Sequence, residues 1–241
     1  KLKPQEELRL QNEKKFNSTL LQSIWRELPQ WPRPAEFQEV WDVGCRNWSY
    51  LGAQAQFFSQ ARLRGVEIDG RRASWTLYRR EDYAEAYVER LHLEQPGRDV
   101  QYWTSDFRRF ACSPIGANPV LYAFFYPFVS PEPSRKWGLT DAHAQFEALL
   151  LQAQRLAQRN QELEQAWVLS VHQGEWELEA SLEAFERAHL QVEHQGIVPP
   201  EAWSDSNYPQ PYAATWVASR LKEPRDCVAP SAAWWHPKNA Y

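Results

Sequence analysis

Apolar and polar positions divide the chain into short apolar runs and longer amphipathic stretches. Val40, Trp41 and Val43 form a run that stops at Gly44, where composition turns small and polar, as at the end of a buried parallel strand. Leu51, Ala55 and Phe58 follow at helical spacing behind Ser49, a candidate N-cap, and Leu63–Ile68 reads as a second strand. Further strands are predicted over Val100–Trp103, Pro119–Tyr126 and Trp167–Val171, with a sixth over Leu190–His194 and a last over Tyr212–Ser219. Helices are predicted over Arg71–Leu93, with a break near Arg80, around Phe146–Ala157, and over Trp176–Ala188. Strands alternating with helices in this way specify an α/β fold.

The flanks differ from this central pattern. Leu8, Leu10, Phe16, Leu20, Leu21, Ile24 and Trp25, set among charged residues, predict one amphipathic helix or two short ones, broken by Pro29, Pro32 and Pro34. Residues 1–35 are thus a helical extension and linker, 36–223 the α/β domain, and 224–241 a tail packed on it as coil. The proline-rich loop through Pro199, Pro200, Pro209 and Pro211 holds no convincing helix, so the strands it joins are expected to be antiparallel neighbours.

Charge and composition narrow the classes. A net charge of -4 and a pI near 5.9 argue against an extended nucleic-acid surface, leaving only a local basic patch of Arg62, Arg64, Arg71 and Arg72. The most apolar segment, Val120–Val129, is too short to span a bilayer, and the charged beginning of the chain is not a signal peptide, so a cytoplasmic protein is expected. Three widely spaced cysteines without a C-x-x-C pair fit a reducing compartment and no zinc site. The chain has no Met, even at position 1, so it is expected to be a fragment of a longer reading.

The candidate chemistry gathers at the predicted strand ends. Gly44 permits a tight turn and close approach of a ligand to the backbone, and Glu67 follows it by about twenty residues, a spacing that suits a ribose diol. The alternative is a plain crossover in which Glu67 caps a loop. Asp106-Phe107, past the third strand, suits an adenine amino group and its ring, or else Asp106 caps a turn. The Tyr126–Trp137 loop is placed beside the reactive centre. His172, at the end of the fifth strand before Gln173-Gly174-Glu175, is either a proton carrier or a hydrogen-bonded core histidine.

Taken together, Asp42-Val43-Gly44-Cys45, Glu67 within Gly65-Val66-Glu67-Ile68-Asp69, and Asp106-Phe107 resemble the motifs of class I S-adenosylmethionine-dependent methyltransferases, over Val40 to Arg220. The resemblance implies a Rossmann-like seven-stranded, mostly parallel sheet with helices on both faces and an antiparallel last strand. It also implies S-adenosyl-L-methionine as cofactor, held by Asp42, Gly44, Arg46, Asn47, Glu67, Asp106 and Phe107. Methyl transfer to a small-molecule acceptor follows, with His172 and Tyr126 as candidate catalytic groups, no metal, and nucleic acid disfavoured as partner. Arg46 and Trp48 stand where that family usually has further glycines, so Arg46 and Asn47 either turn toward the cofactor carboxylate or obstruct it. Tyr126-Pro127-Phe128 matches only half of the amino-methyltransferase signature. A non-catalytic nucleoside-binding or interaction module on the same fold is the alternative. A nicotinamide-dependent oxidoreductase lacks the required G-x-G-x-x-G.

Overall fold

The computed structural model describes residues 4–74, 78–110, 118–127, 142–159, 163, 165–206 and 213–221. Its strands are β1 (Glu39–Val43), β2 (Arg62–Glu67), β3 (Ala73–Ser74), β4 (Tyr78–Arg79), β5 (Val100–Thr104), β6 (Val120–Phe125), β7 (Ala166–Gln173), β8 (His194–Val198) and β9 (Ala214–Arg220). The helices are α1 (Pro4–Arg26), α2 (Leu51–Phe57), α3 (Arg80–Glu94), α4 (Ala142–Arg159) and α5 (Glu175–Arg187). Seven strands form one sheet of order β5-β2-β1-β6-β7-β9-β8, and β3 with β4 makes a separate two-stranded ladder.

Strands β5, β2, β1, β6 and β7 run parallel, while β9 runs antiparallel to both β7 and β8. This is the seven-stranded, mostly parallel sheet with an antiparallel last strand that the resemblance implies. From central β1 the chain winds outward through β2 to β5, then returns to β6 on the other side. The order reverses between β1 and β6, and ligands of open α/β sheets bind above the strand ends at such a reversal.

Alternation along the buried strands divides the interior into two layers. Val40, Leu63, Leu121, Leu169 and Val171 face one cluster together with α1, α2 and α3, whereas Trp41, Val66, Tyr122 and Val168 face the other with α4 and α5. Helix α1 belongs to the core, since Phe16, Leu20, Leu21 and Ile24 are buried in the same cluster as β1 and the Trp203 ring stacks on Phe16.

Several boundaries differ from the periodicity. The stretch beginning at Arg71 opens with the β3–β4 ladder, and α3 starts only at Arg80, where the Arg79 N–H donates to Asp82 as a helix-start bond. The sixth strand is His194–Val198, displaced from Leu190–His194, because Leu190 is buried against α4 and α5 while β8 takes its register from β9. Tyr50, not Ser49, stands at the N-cap of α2, without a side-chain cap bond. The tail 224–241 and the loop beyond Pro127 as far as Trp137 lie outside the described residues.

Arg62 and Arg64 are not part of a basic patch. Glu39, fully buried at the start of β1, faces Arg62 Nε at 3.1 Å and Arg64 Nε at 3.9 Å, and Arg64 also forks onto Asp99 at 2.6 and 2.7 Å. Burial pushes the Glu39 carboxyl up from 4.5 to about 7, against the pull of Arg64 and Arg62. Across that window the unfolded chain has released a proton that the folded chain keeps. The Glu39 contribution is therefore complete below pH 4.5 and lost as pH rises through about 7. We expect wild type to lose about 3 kcal/mol more stability over this range than Glu39→Gln, as read from urea unfolding at several pH values. Parallel pH profiles for the two proteins would contradict this.

Candidate functional site

The carboxyl ends of β1 and β2 are joined by a hydrogen-bonded turn. Gly44 takes φ 82° and donates its N–H to the Val66 carbonyl at 2.7 Å, and a side chain at Gly44 would meet no atom within 4 Å. The turn is thus left-handed, as glycine allows, and open above. Arg46 and Trp48 also have positive φ, 56° and 51°, a conformation that non-glycine residues keep only when neighbours fix it. At Arg46 that fixation comes from its N–H, which donates to Glu67 Oε2 at 2.8 Å, and from its carbonyl, which accepts the Tyr102 hydroxyl at 3.2 Å.

Below the turn, Asp42 is buried on the α2 side of β1. Its carboxylate accepts the Trp48 indole N–H at 3.1 Å, the Tyr50 hydroxyl at 3.2 Å and the Gln54 amide at 2.7 Å. Trp48 Nε1 also reaches Gln54 Oε1 at 2.8 Å. Burial raises the Asp42 carboxyl to about 7, opposed by these three donors. The Trp48 ring lies where a side chain on Gly65 would come within 2.8 Å of it, so Gly65 is needed for close approach. The indole fills the space over Gly65 and supports the turn from below. Cys45 is buried beside Asp42 and Glu67, and burial raises its thiol well above the ordinary range, so it stays protonated.

Glu67 ends β2 directly beside the turn. Its Oε2 holds the Arg46 N–H, its Oε1 holds the Asp69 N–H at 2.8 Å, and Arg80 Nη1 approaches Oε1 at 3.4 Å. A carboxylate oxygen accepts two hydrogen bonds, so Oε2 keeps acceptor capacity for a ligand hydroxyl. Arg80 was not singled out by the sequence; it reaches Glu67 only because the β3–β4 ladder brings the start of α3 back to the end of β2.

The third strand end differs from expectation. Asp106 caps the short helix Phe107–Arg109, accepting the Arg108 N–H at 2.9 Å, and Arg108 forks onto the same carboxylate at 3.0 and 2.7 Å. This is the capping alternative, and the Arg108 guanidinium draws on the acceptors an adenine amino group would use. Phe107 is 2% exposed and packs among Trp41, Tyr122 and Phe124, so its ring covers the core and no ligand.

His172 is likewise a core residue. It is fully buried on the α4–α5 side of β7, its Nε2 lies 2.5 Å from Ser170 Oγ, and burial lowers it from 6.5 to about 3. Burial disfavours the protonated imidazole and encloses the ring, which favours the core-histidine alternative over the proton carrier. Tyr126 does stand at the strand ends: it follows β6 with φ 58°, donates its N–H to the Val171 carbonyl at 2.7 Å, and lies with its ring centroid 6.0 Å from the Arg46 guanidinium carbon. Asn47 is half-buried in the same turn.

Two further acids that the sequence did not mark, Glu13 and Glu177, are held by neighbours on their own side of the sheet ends. Glu177, in the first turn of α5, accepts the Gln173 N–H at 2.5 Å, and Glu13 on α1 is held by Asn17 Nδ2 at 3.5 Å and faced by Arg9 at 3.8 Å. Burial raises both carboxyls, offset in part by Arg9, Arg46 and the Asn17 amide at Glu13 and by the Gln173 N–H and Arg46 at Glu177. Among the described residues no group of three or more His, Cys, Asp or Glu side chains is arranged to hold a metal ion, and no helix is long and apolar enough to cross a membrane.

No family model matches the sequence, and no curated protein sequence matches it. Some solved structures are similar over most of the chain, those described next with TM-scores below 0.5. A SAM dependent methyltransferase from Aquifex aeolicus is 15% identical, with 81% of this chain and 87% of that chain covered and a TM-score of 0.48. Magnesium protoporphyrin IX methyltransferase from Synechocystis PCC 6803, with bound SAM, is 11% identical over 77% of this chain and 71% of its own, with a TM-score of 0.43. Human methyltransferase 10 domain containing protein is 9% identical over 77% and 72%, with a TM-score of 0.48. Overlaps of this depth transfer no residue roles.

The Asp42 cluster leads to a direct expectation. Trp48→Phe removes the indole N–H that bridges Asp42 and Gln54 and should lower stability by about 1–3 kcal/mol in urea unfolding. A change within about 0.5 kcal/mol would mean that the turn does not depend on this bond.

Proposed function

We propose that this chain binds S-adenosyl-L-methionine across the Gly44 turn and transfers its methyl group to a small-molecule acceptor. The observation that supports this most strongly is the Glu67 carboxylate fixed beside an open left-handed glycine turn, at the point where strand order reverses. In this reading Glu67 Oε2 accepts from the ribose, and the backbone at Gly44 approaches the ligand because no side chain intervenes. Arg46 supplies a guanidinium fork for the amino-acid carboxylate, with Asn47 alongside. Asp42 acts from beneath, setting the turn through Trp48, Tyr50 and Gln54 without touching the ligand.

The cofactor, when bound, supplies an activated methyl on a sulfonium. The protein's work is to align the acceptor and exclude water. Tyr126 borders the acceptor side, at the end of β6. His172 serves there only as a core hydrogen-bonding group, and Asp106 and Phe107 form the wall behind the adenine side without contacting it.

The burial of His172 and the pairing of Asp106 with Arg108 favour a second reading, a non-catalytic nucleoside-binding module. Saturable cofactor binding with no methylated product across an acceptor panel would select it.

Calorimetry with S-adenosylhomocysteine tests the binding. Wild type should bind, and Glu67→Gln, checked for an intact thermal transition, should bind about tenfold more weakly or worse. Absence of binding to wild type, or equal binding by the variant, would overturn the assignment.

A further inference from the structure

The outer edge of the sheet carries an inference about a partner. Among the described residues β5 pairs with β2 alone, and its register is marked by the Leu63 N–H donating to the Asp99 carbonyl and the Ser105 N–H to the Glu67 carbonyl, each at 3.0 Å. Backbone groups alternate sides along a parallel ladder, so those of Val100, Tyr102 and Thr104 point away from β2. Proteins ordinarily blunt such an edge with a charge, a proline or a bulge, yet Val100–Thr104 holds no charge and no proline, and its register is unbroken. Val88 on α3, with Val100, Tyr102 and Trp103, lines a groove of about 360 Å³ along this edge, and Glu85 and Glu89 line it too. These two acids stand one helical turn apart, are exposed, and form no ion pair among the described residues.

Helix positions i and i+4 lie about 6 Å apart along the axis, and alternate side chains of a strand about 6.7 Å apart. Cations at alternate positions of a segment laid on β5 therefore meet Glu85 and Glu89 in turn. Tyr102 packs on the α3 side of the sheet and Trp103 on the other, so the residue between two such cations comes up beside the Trp103 ring. We propose that the β5 edge is a docking site for an extended protein segment of basic–apolar–basic pattern, which joins the sheet as a further strand. The outward backbone groups of Val100, Tyr102 and Thr104 hold the segment, its lysine or arginine stems lie along Val88 and Tyr102, and their charged heads reach the two carboxylates. Tyr102 also donates its hydroxyl to the Arg46 carbonyl, so the docked segment adjoins the turn of the candidate site. The docking surface does not rest on the cofactor assignment.

Fluorescence anisotropy with a fluorescein-labelled peptide of alternating lysine and valine tests the site. Wild type should bind it saturably, and Glu85→Lys with Glu89→Lys should bind at least about tenfold more weakly. Glu183→Lys with Glu186→Lys, the same charge change on exposed positions of α5, should bind as wild type does. A peptide of the same composition with its lysines in one block should bind at least about tenfold more weakly, as should the alternating peptide N-methylated at every second residue in one of the two phases. Thermal unfolding checks each variant, and Glu→Gln at the same positions replaces Glu→Lys if the latter is unfolded. No binding by wild type, equal loss in the α3 and α5 variants, or indifference to both the order of the lysines and N-methylation overturns the site. A dimer in sedimentation that takes up no peptide and is dissolved by the α3 variant assigns the edge to a second copy of this chain and overturns it as well.

Discussion

The candidate site depends on one buried carboxylate. Asp42 sits inside the sheet face beneath the β1 turn, and three side-chain donors converge on it from Trp48, Tyr50 and Gln54. A buried acid without such partners would be costly, and with them it ties the end of β1, the turn and the first turn of α2 into one unit. Trp48 then fills the space over Gly65, and the turn above it is held in a conformation that Arg46 and Trp48 would not otherwise keep. The opening at Gly44 and the position of Glu67 both follow from that frame.

Three other acids among the described residues face defined neighbours. Glu39 is faced by Arg62 and Arg64 at the amino end of β1, and Asp106 is held by Arg108 at the end of β5. Glu67 is enclosed by two backbone N–H groups and Arg80. Arg46 is different. Its backbone is fixed by Glu67 and Tyr102, while its exposed side chain lies 6.0 Å from the Tyr126 ring.

Much of the fold was legible because its signals are local. Short apolar runs ending at glycine or polar residues located β1, β2, β5, β6, β7 and β9, and the proline-rich loop indicated antiparallel pairing at the sheet edge. The break near Arg80 was visible in the periodicity, but two-residue strands such as β3 and β4 are too short to leave a pattern. The site was legible only in part. Gly44, Glu67 and Tyr126 stand at strand ends, as their spacing in the chain implies. His172 and Phe107 occupy similar sequence positions, yet both side chains enter the α4–α5 layer, His172 through the alternation of β7 and Phe107 through the short helix that Asp106 caps. Glu13 and Glu177 left no signal, since each is one acid on an amphipathic helix and its partners are set by folding.

The central claim is that Glu67 and the Gly44 turn hold a nucleoside ligand at the reversal of strand order. A crystal structure of the chain grown with S-adenosylhomocysteine tests it most directly. The claim predicts density above Gly44 with the ribose hydroxyls on Glu67 Oε2. Density elsewhere on the molecule, or a ligand above the turn that leaves Glu67 untouched, would contradict it.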